Sequence, residues 1–257
     1  MIYTNMNMTL KLLAMLAMPL FMCGIQAKAQ NAAAPSDTLT QTAKTAQPPT
    51  EWTFDFTNVD AAVTTTVDAT NGLPFEKTVN GHVFVNLGMP SGTYWAKCNI
   101  GAKDFREAGD YFAWGETEAK ASYTTQNGKW AGKHHIGNLK DAEDVATQKW
   151  GKEVRMANIA EFDELRKFCR DIQWIEKDGV KGCIFIGRNG RWIFFPAGGH
   201  KHDASVFDLN EWGSYWSSSP NNDSAGKAFT FCFQKGTMYG HTADVFERGY
   251  LVRAVTK

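Results

Sequence analysis

The side chains with the widest chemical repertoire gather in the last third of the chain. Trp216, Asn221, Asn222, Asp223, Tyr239, His241, Asp244 and Arg248 lie on or beside the final predicted loops, between runs that read as strands. Aromatic faces with amide and carboxylate neighbours suit recognition of sugars or protein surfaces. Loops held by rigid strands are the usual place for such recognition.

Metal and acid–base chemistry have weaker spellings. In "HKHD", His200 and His202 alternate onto one face of an extended segment and Asp203 could add an oxygen, but no third histidine follows at a telling distance. His134 and His135 point opposite ways in an extended chain. "PNND" (220–223) and "FDLNEW" (207–212) offer carboxylate and amide oxygens without an ordered calcium-loop spacing. The expectation is therefore no cofactor, with structural calcium as the option left open. Glu116 and Glu118 in "GETE" share a face, as adjacent surface carboxylates commonly do. "WSSS" lacks the Gly-x-Ser-x-Gly turn of a nucleophilic serine. Four cysteines after the leader, Cys98, Cys169, Cys183 and Cys232, contain no C-x-x-C pair. They could form two disulfides in three connectivities, or sit buried as small apolar residues.

Compartment and partners follow from composition. Lys11, the apolar run Leu12–Cys23 and Ala27-Lys28-Ala29 predict a secretory signal peptide over 1–29, hence export to the periplasm, cell surface or medium. The alternative of a lipid anchor at Cys23 is disfavoured by Met22, where a small residue is wanted. No stretch is long enough to span a bilayer as a helix. Removing Lys11 and Lys28 from 27 basic side chains leaves 25 against 27 acidic ones, a net charge of −2. That balance argues against a nucleic-acid partner. Residues 30–50, rich in Ala, Thr, Gln and Pro, read as a flexible linker. Residues 51–79 read as an N-terminal strand extension ended by Asn71-Gly72, and 80–257 as the main domain.

The elements that must position these residues are mostly short strands. "HVFVNLG", "TYWAKCN", "DYFAW", "VKGCIFI", "RWIFFPA", "SYWSSS", "KAFTFCF" and "GYLVRAV" have strand lengths and turn residues between them. "DAEDVATQKWG" predicts a helix capped by Asp141 and stopped at Gly151. A second helix is capped by Asn158, with Glu161 three residues on and Ile159, Phe162, Leu165 and Phe168 at intervals of three. The longest predicted loop runs from Gly198 to Gly213. This pattern is α+β, with two helices, a curled antiparallel sheet and long loops. Trp95, after the Pro-Ser-Gly turn, is expected in the core. Arg253, flanked by Val252 and Ala254, is expected to reach a buried carboxylate, Asp110 or Glu116.

Seven blocks in order, "VNLGMPSGTYWAKCNIGA", "AGDYFAWGET", "DAEDVATQKWG", "VRMANIAEFDEL", "WIFFPAGG", "GSYWSSS" and "GYLVRAV", resemble the Fibrobacter succinogenes major paralogous domain, a family of exported proteins frequent in Bacteroidetes. Ala157 and Ala254 stand where that family usually has proline. The resemblance covers about residues 80–257 and implies a C-type-lectin-like fold, similar to that of formylglycine-generating enzymes. Those enzymes use two nearby cysteines to bind copper, whereas here only Cys232 occupies the corresponding region, with no second cysteine a few residues away. The resemblance thus implies a non-catalytic binding module at the cell envelope, taking a glycan or protein ligand. An accessory component of a surface assembly is the alternative, and a copper-dependent oxidase ranks third.

Overall fold

The computed structural model describes residues 67–69 and 71–257. The expected signal peptide, Cys23, the 30–50 linker and the "EWTFDF" strand lie outside the described residues.

Thirteen strands form along the described chain, and every strand pair is antiparallel. The first three are β1 (Glu76–Val79), β2 (His82–Asn86) and β3 (Tyr94–Asn99). They join β4 (Arg155–Met156) and β13 (Arg253–Thr256) in a sheet of order β1-β2-β3-β13-β4. β1 and β2 are joined by Asn80-Gly81, both with left-handed backbone (φ 50° and 83°), the conformation a two-residue hairpin turn demands. The segment read as an extension ending at residue 79 therefore supplies an edge strand of the main sheet, and a boundary at 79/80 would cut a hairpin.

Two three-stranded meanders follow. β5 (Asp171–Lys177), β6 (Val180–Ile186) and β7 (Trp192–Pro196) make one. β10 (Trp212–Pro220), β11 (Lys227–Gln234) and β12 (Thr237–Val245) make the other. Between them, the stretch read as a loop over Gly198–Gly213 holds a hairpin of β8 (His200–His202) and β9 (Ser205–Phe207). "DYFAW" forms no strand; Phe112 makes a single bridge to Tyr250.

The helices are α1 (Val145–Trp150) and α2 (Ile159–Phe168). Asp144, not Asp141, caps α1. Its carboxylate accepts from Thr147 N at 3.0 Å and from Met156 N at 2.9 Å, so one side chain ends a helix and holds β4. In α2 the expected capping box is present: Glu161 N donates to Asn158 Oδ1 and Asn158 N to Glu161 Oε2, each at 3.0 Å. The helix lays Phe162 against Phe231 of β11, rings stacked 4.7 Å apart, and against Trp95, 5.3 Å away. Trp95, Trp114 and Trp216 are fully buried, each removing roughly 150–250 Å² from water.

Arg253 is also fully buried, but it meets no carboxylate among its bonded partners. Its guanidinium donates to Asn99 Oδ1 (2.8 Å) and to the backbone oxygens of Ala96 (2.7 Å), Lys97 (3.0 Å) and Phe194 (2.8 Å). The ring of Phe195 lies 4.3 Å from the guanidinium carbon. The expected pairing with Asp110 or Glu116 is replaced by the Asn99 amide and by carbonyl dipoles from within β3 and β7, beside a register shift of β13 against β3. No helix among the described residues is long and apolar enough to cross a membrane.

Candidate functional site

Alternation along β10 and β11 builds the site. Tyr215, Phe231 and Phe233 turn to the core side, where they pack with Phe195 and Phe162. The intervening residues Ser214, Thr230 and Cys232 therefore turn to the opposite face, with Trp212 in step. Ser214 pairs with Cys232, and Cys232 with Tyr239, so one row crosses the meander; Thr230 pairs with Thr242 in the next. A bulge between Thr230 and Cys232 keeps Tyr239, Thr242 and Asp244 on this face.

His200, Asp208 and Tyr250 close the other side, enclosing a cleft of ≈ 370 Å³. Trp212 and Tyr239 stack at 5.2 Å and 14°, and Gln234 Nε2 holds the Tyr239 hydroxyl at 2.9 Å. Tyr250 donates its hydroxyl to Asp244 Oδ2 at 2.7 Å, while Val245 N donates to Oδ1. Arg248 Nε stands 3.8 Å from the same carboxylate. His200 Nδ1 lies 3.4 Å from Asp208 Oδ2. Asp208 has φ 57°, and Phe207 and Leu209 on either side of it are exposed, 45% and 57%. On the floor, Thr230 Oγ1 and Thr242 Oγ1 share a hydrogen at 2.7 Å, and Cys232 Sγ reaches Thr230 Oγ1 at 3.5 Å.

Burial sets the protonation states. It pulls the His200 imidazole below its ordinary value, against the opposing pull of Asp208, favouring the neutral ring. It pushes the Cys232 thiol up, only partly offset by the hydroxyls of Thr230, Thr242 and Ser214. The Tyr250 phenol is raised too, by burial first and then by the charges beside it, so it acts as a donor.

Of the residues singled out in the sequence, Tyr239 and Asp244 line the cleft and Arg248 reaches it through Asp244. Trp216 does not. It is wholly buried, its Nε1 donates to Phe112 O at 2.8 Å, and its ring stacks 4.6 Å from Tyr250, behind the cleft wall. Asn221, Asn222 and Asp223 close the β10–β11 hairpin; Asp223 N donates to Asn221 Oδ1, a turn bond, and the three are not lining residues. His241 falls within β12, and its side chain lies outside the described residues. His200 enters the cleft, while His202 sits 3.9 Å from Asp203 at its margin. Among the described residues no group of three or more His, Cys, Asp or Glu side chains is arranged to hold a metal ion.

Glu116 is held by Lys120 at 2.9 Å and by Lys129 N at 2.8 Å, whereas Glu118 pairs with Lys149 at 3.2 Å. Those contacts occupy the two carboxylates separately. Cys98, Cys169, Cys183 and Cys232 are all free thiols, so neither possible disulfide forms. Trp212, Ser214, Thr230, Thr242 and Tyr250 were not singled out in the sequence as site residues. The alternating polar positions of "KAFTFCF" carried the signal for two rows of this face.

The fold and the cleft together define an α+β domain, mostly antiparallel sheet, with a cleft lined by aromatic and acidic side chains. Compared with protein-family models, with curated proteins and with solved structures, the chain gives no match.

Proposed function

We propose that the chain is an exported, non-catalytic binding module of the bacterial cell envelope, built on a C-type-lectin-like fold of the major paralogous domain type. The observation that carries this reading is the cleft. Tyr239 and Asp244, picked out as recognition residues by type, stand in it beside Trp212, His200 and Asp208. Aromatic walls with a few convergent polar groups are what a ligand site requires. Ordinary cleavage after residue 29 would release the domain to the periplasm, surface or medium.

The test is a screen of immobilised glycans and envelope proteins with the purified full chain, repeated with Tyr239→Ala. Saturable binding that the variant loses while staying folded, its melting temperature lowered by only a few degrees, is the expected outcome. Binding indifferent to Tyr239 would sink the cleft as the site.

A structural part in a surface assembly is the second reading, favoured by the exposed Val206, Phe207 and Leu209 beside the cleft. Co-purification with envelope partners that survives Tyr239→Ala would select it. An oxidase of the formylglycine-generating type needs two thiols at one copper. Cys232 is the sole cysteine among the residues lining this cleft, while Cys98 and Cys183 line two others. A copper(I) titration showing one tight site shared by two thiols would revive that reading.

A further inference from the structure

The charges around the cleft are one-sided. Asp208 and Asp244 line it from two different elements, and no Lys or Arg is among the lining residues. Arg248 approaches only Asp244, from outside the lining, at 3.8 Å. Among the described lining residues the titratable nitrogen is that of His200, which burial holds toward its neutral form. Such a cleft repels anions and concentrates cations.

Both carboxylates retain acceptor capacity. A carboxylate offers about four lone-pair sites. Asp244 uses one for Tyr250 and one for Val245 N, and Asp208 has a single long contact with His200. Neither is sealed in an ion pair of normal length. The stacked Trp212–Tyr239 pair gives the same cleft a broad aromatic wall, and Ser214 adds a hydroxyl on its floor. A flat apolar face beside unfilled acceptors matches a sugar ring, whose C–H face stacks while its polar substituents donate. The space, ≈ 370 Å³, suits one or two sugar units.

Resting on the binding reading above, we infer that the cleft takes an amino sugar whose amine is free and protonated, the ammonium lodged between Asp208 and Asp244 and the ring against Tyr239. Neutralising that ammonium by N-acetylation removes the charge-assisted hydrogen bonds and places an amide among acceptors.

The experiment is calorimetric titration of the purified full chain with three probes: a glucosamine oligomer, its fully N-acetylated counterpart and an oligolysine peptide. The glucosamine oligomer is expected to bind at least roughly tenfold tighter than the acetylated one, the worth of one charge-assisted hydrogen bond. Asp208→Asn and Asp244→Asn should each erase most of that difference. Asp208 is exposed, so its variant is expected to keep the native melting temperature and serves as control should Asp244→Asn misfold. Equal or tighter binding of the acetylated oligomer, lost in Tyr239→Ala, would overturn the cation preference and leave the binding module intact. Tight binding of oligolysine without the glucosamine oligomer would overturn the sugar. If none of the three binds, the amino-sugar inference falls; the broader glycan and protein screen then decides the binding reading separately.

Discussion

Arg253 Nε and Asn99 Oδ1 meet at 2.8 Å across 154 residues of sequence, and the guanidinium they anchor is neutralised by no carboxylate in its bonding shell. Four of the five donors of its planar fork instead find an amide oxygen and three backbone carbonyls from β3 and β7. The cation is the hub on which β3, β7 and β13 converge.

Arg253→Met should therefore destabilise the domain by about 3–5 kcal/mol, the range for stripping one partner from a buried charged network and orphaning its acceptors. Arg253→Lys should recover little, because an ammonium cannot reproduce the fork. Urea denaturation checks both. An unchanged midpoint in either variant would refute the hub.

Glu161 joins the α2 cap to an ion pair with Arg155, Nη1 to Oε2 at 2.7 Å and Nη2 to Oε1 at 2.6 Å. Burial raises its pKa, but Arg155 and the Asn158 amide outweigh that, and the net shift is downward from 4.5. A depressed folded value means stability that is fully present above 4.5 and lost as pH falls through the folded value. Glu161→Gln should cost about 1–2 kcal/mol at neutral pH, discounted because the Arg155 side chain is 39% exposed. Its stability should also lack that acid limb. Denaturation midpoints measured downward from neutral pH would show it; parallel pH curves would contradict the pairing.

Trp216 and Tyr239 should separate stability from recognition. Trp216→Phe loses core volume and the bond to Phe112 O, an expected cost of about 2–3 kcal/mol, with ligand preference unchanged. Tyr239→Ala loses a stacked partner worth about 1 kcal/mol but should abolish binding. Thermal melts beside titrations decide it. Reversed effects would put the site on the wrong residue.

Gly199 has φ 64°, and a Cβ built there would overlap Phe207 O. Gly199→Ala should cost about 2–4 kcal/mol through strain and displacement of the β8–β9 hairpin. Because that hairpin carries His200 and leads into Asp208, ligand affinity should drop as well. A variant with native affinity would show the hairpin to be independent of the cleft.

The thiols should be slow. Burial pushes Cys169 and Cys183 up to about 12 and Cys232 upward as well. Thiolate is the reacting form, so alkylation at neutral pH should leave Cys183 and Cys232 unmodified until the chain unfolds. Peptide mapping by mass spectrometry reads each site. Rapid native labelling of Cys232 would reopen thiol chemistry in the cleft.

Local grammar carried much of the architecture. The α2 cap is written in Asn158 and Glu161, and β6, β7, β10 and β11 announce themselves by composition. What was hidden is non-local. Two aspartates precede α1, and Asp144 is the one that adjoins its first turn, where it also accepts from Met156 N of β4, a contact no local pattern announces. β12 has no clean alternation and owes its shape to the ladder with β11. Trp216 and Trp212 look alike in sequence. They share one face of β10, and what separates them is tertiary: Tyr250 stacks over Trp216 and buries it, whereas Trp212 stacks on Tyr239 at the cleft.

The place of β13 between β3 and β4 has a temporal meaning. While a ribosome is still making the chain, β3 and β4 lack their common neighbour, and the guanidinium that knits three strands does not yet exist. The largest sheet can close only once residue 256 has been made. Until then the chain can hold its two three-stranded meanders but not the five-stranded sheet, which locks when β13 arrives with Arg253.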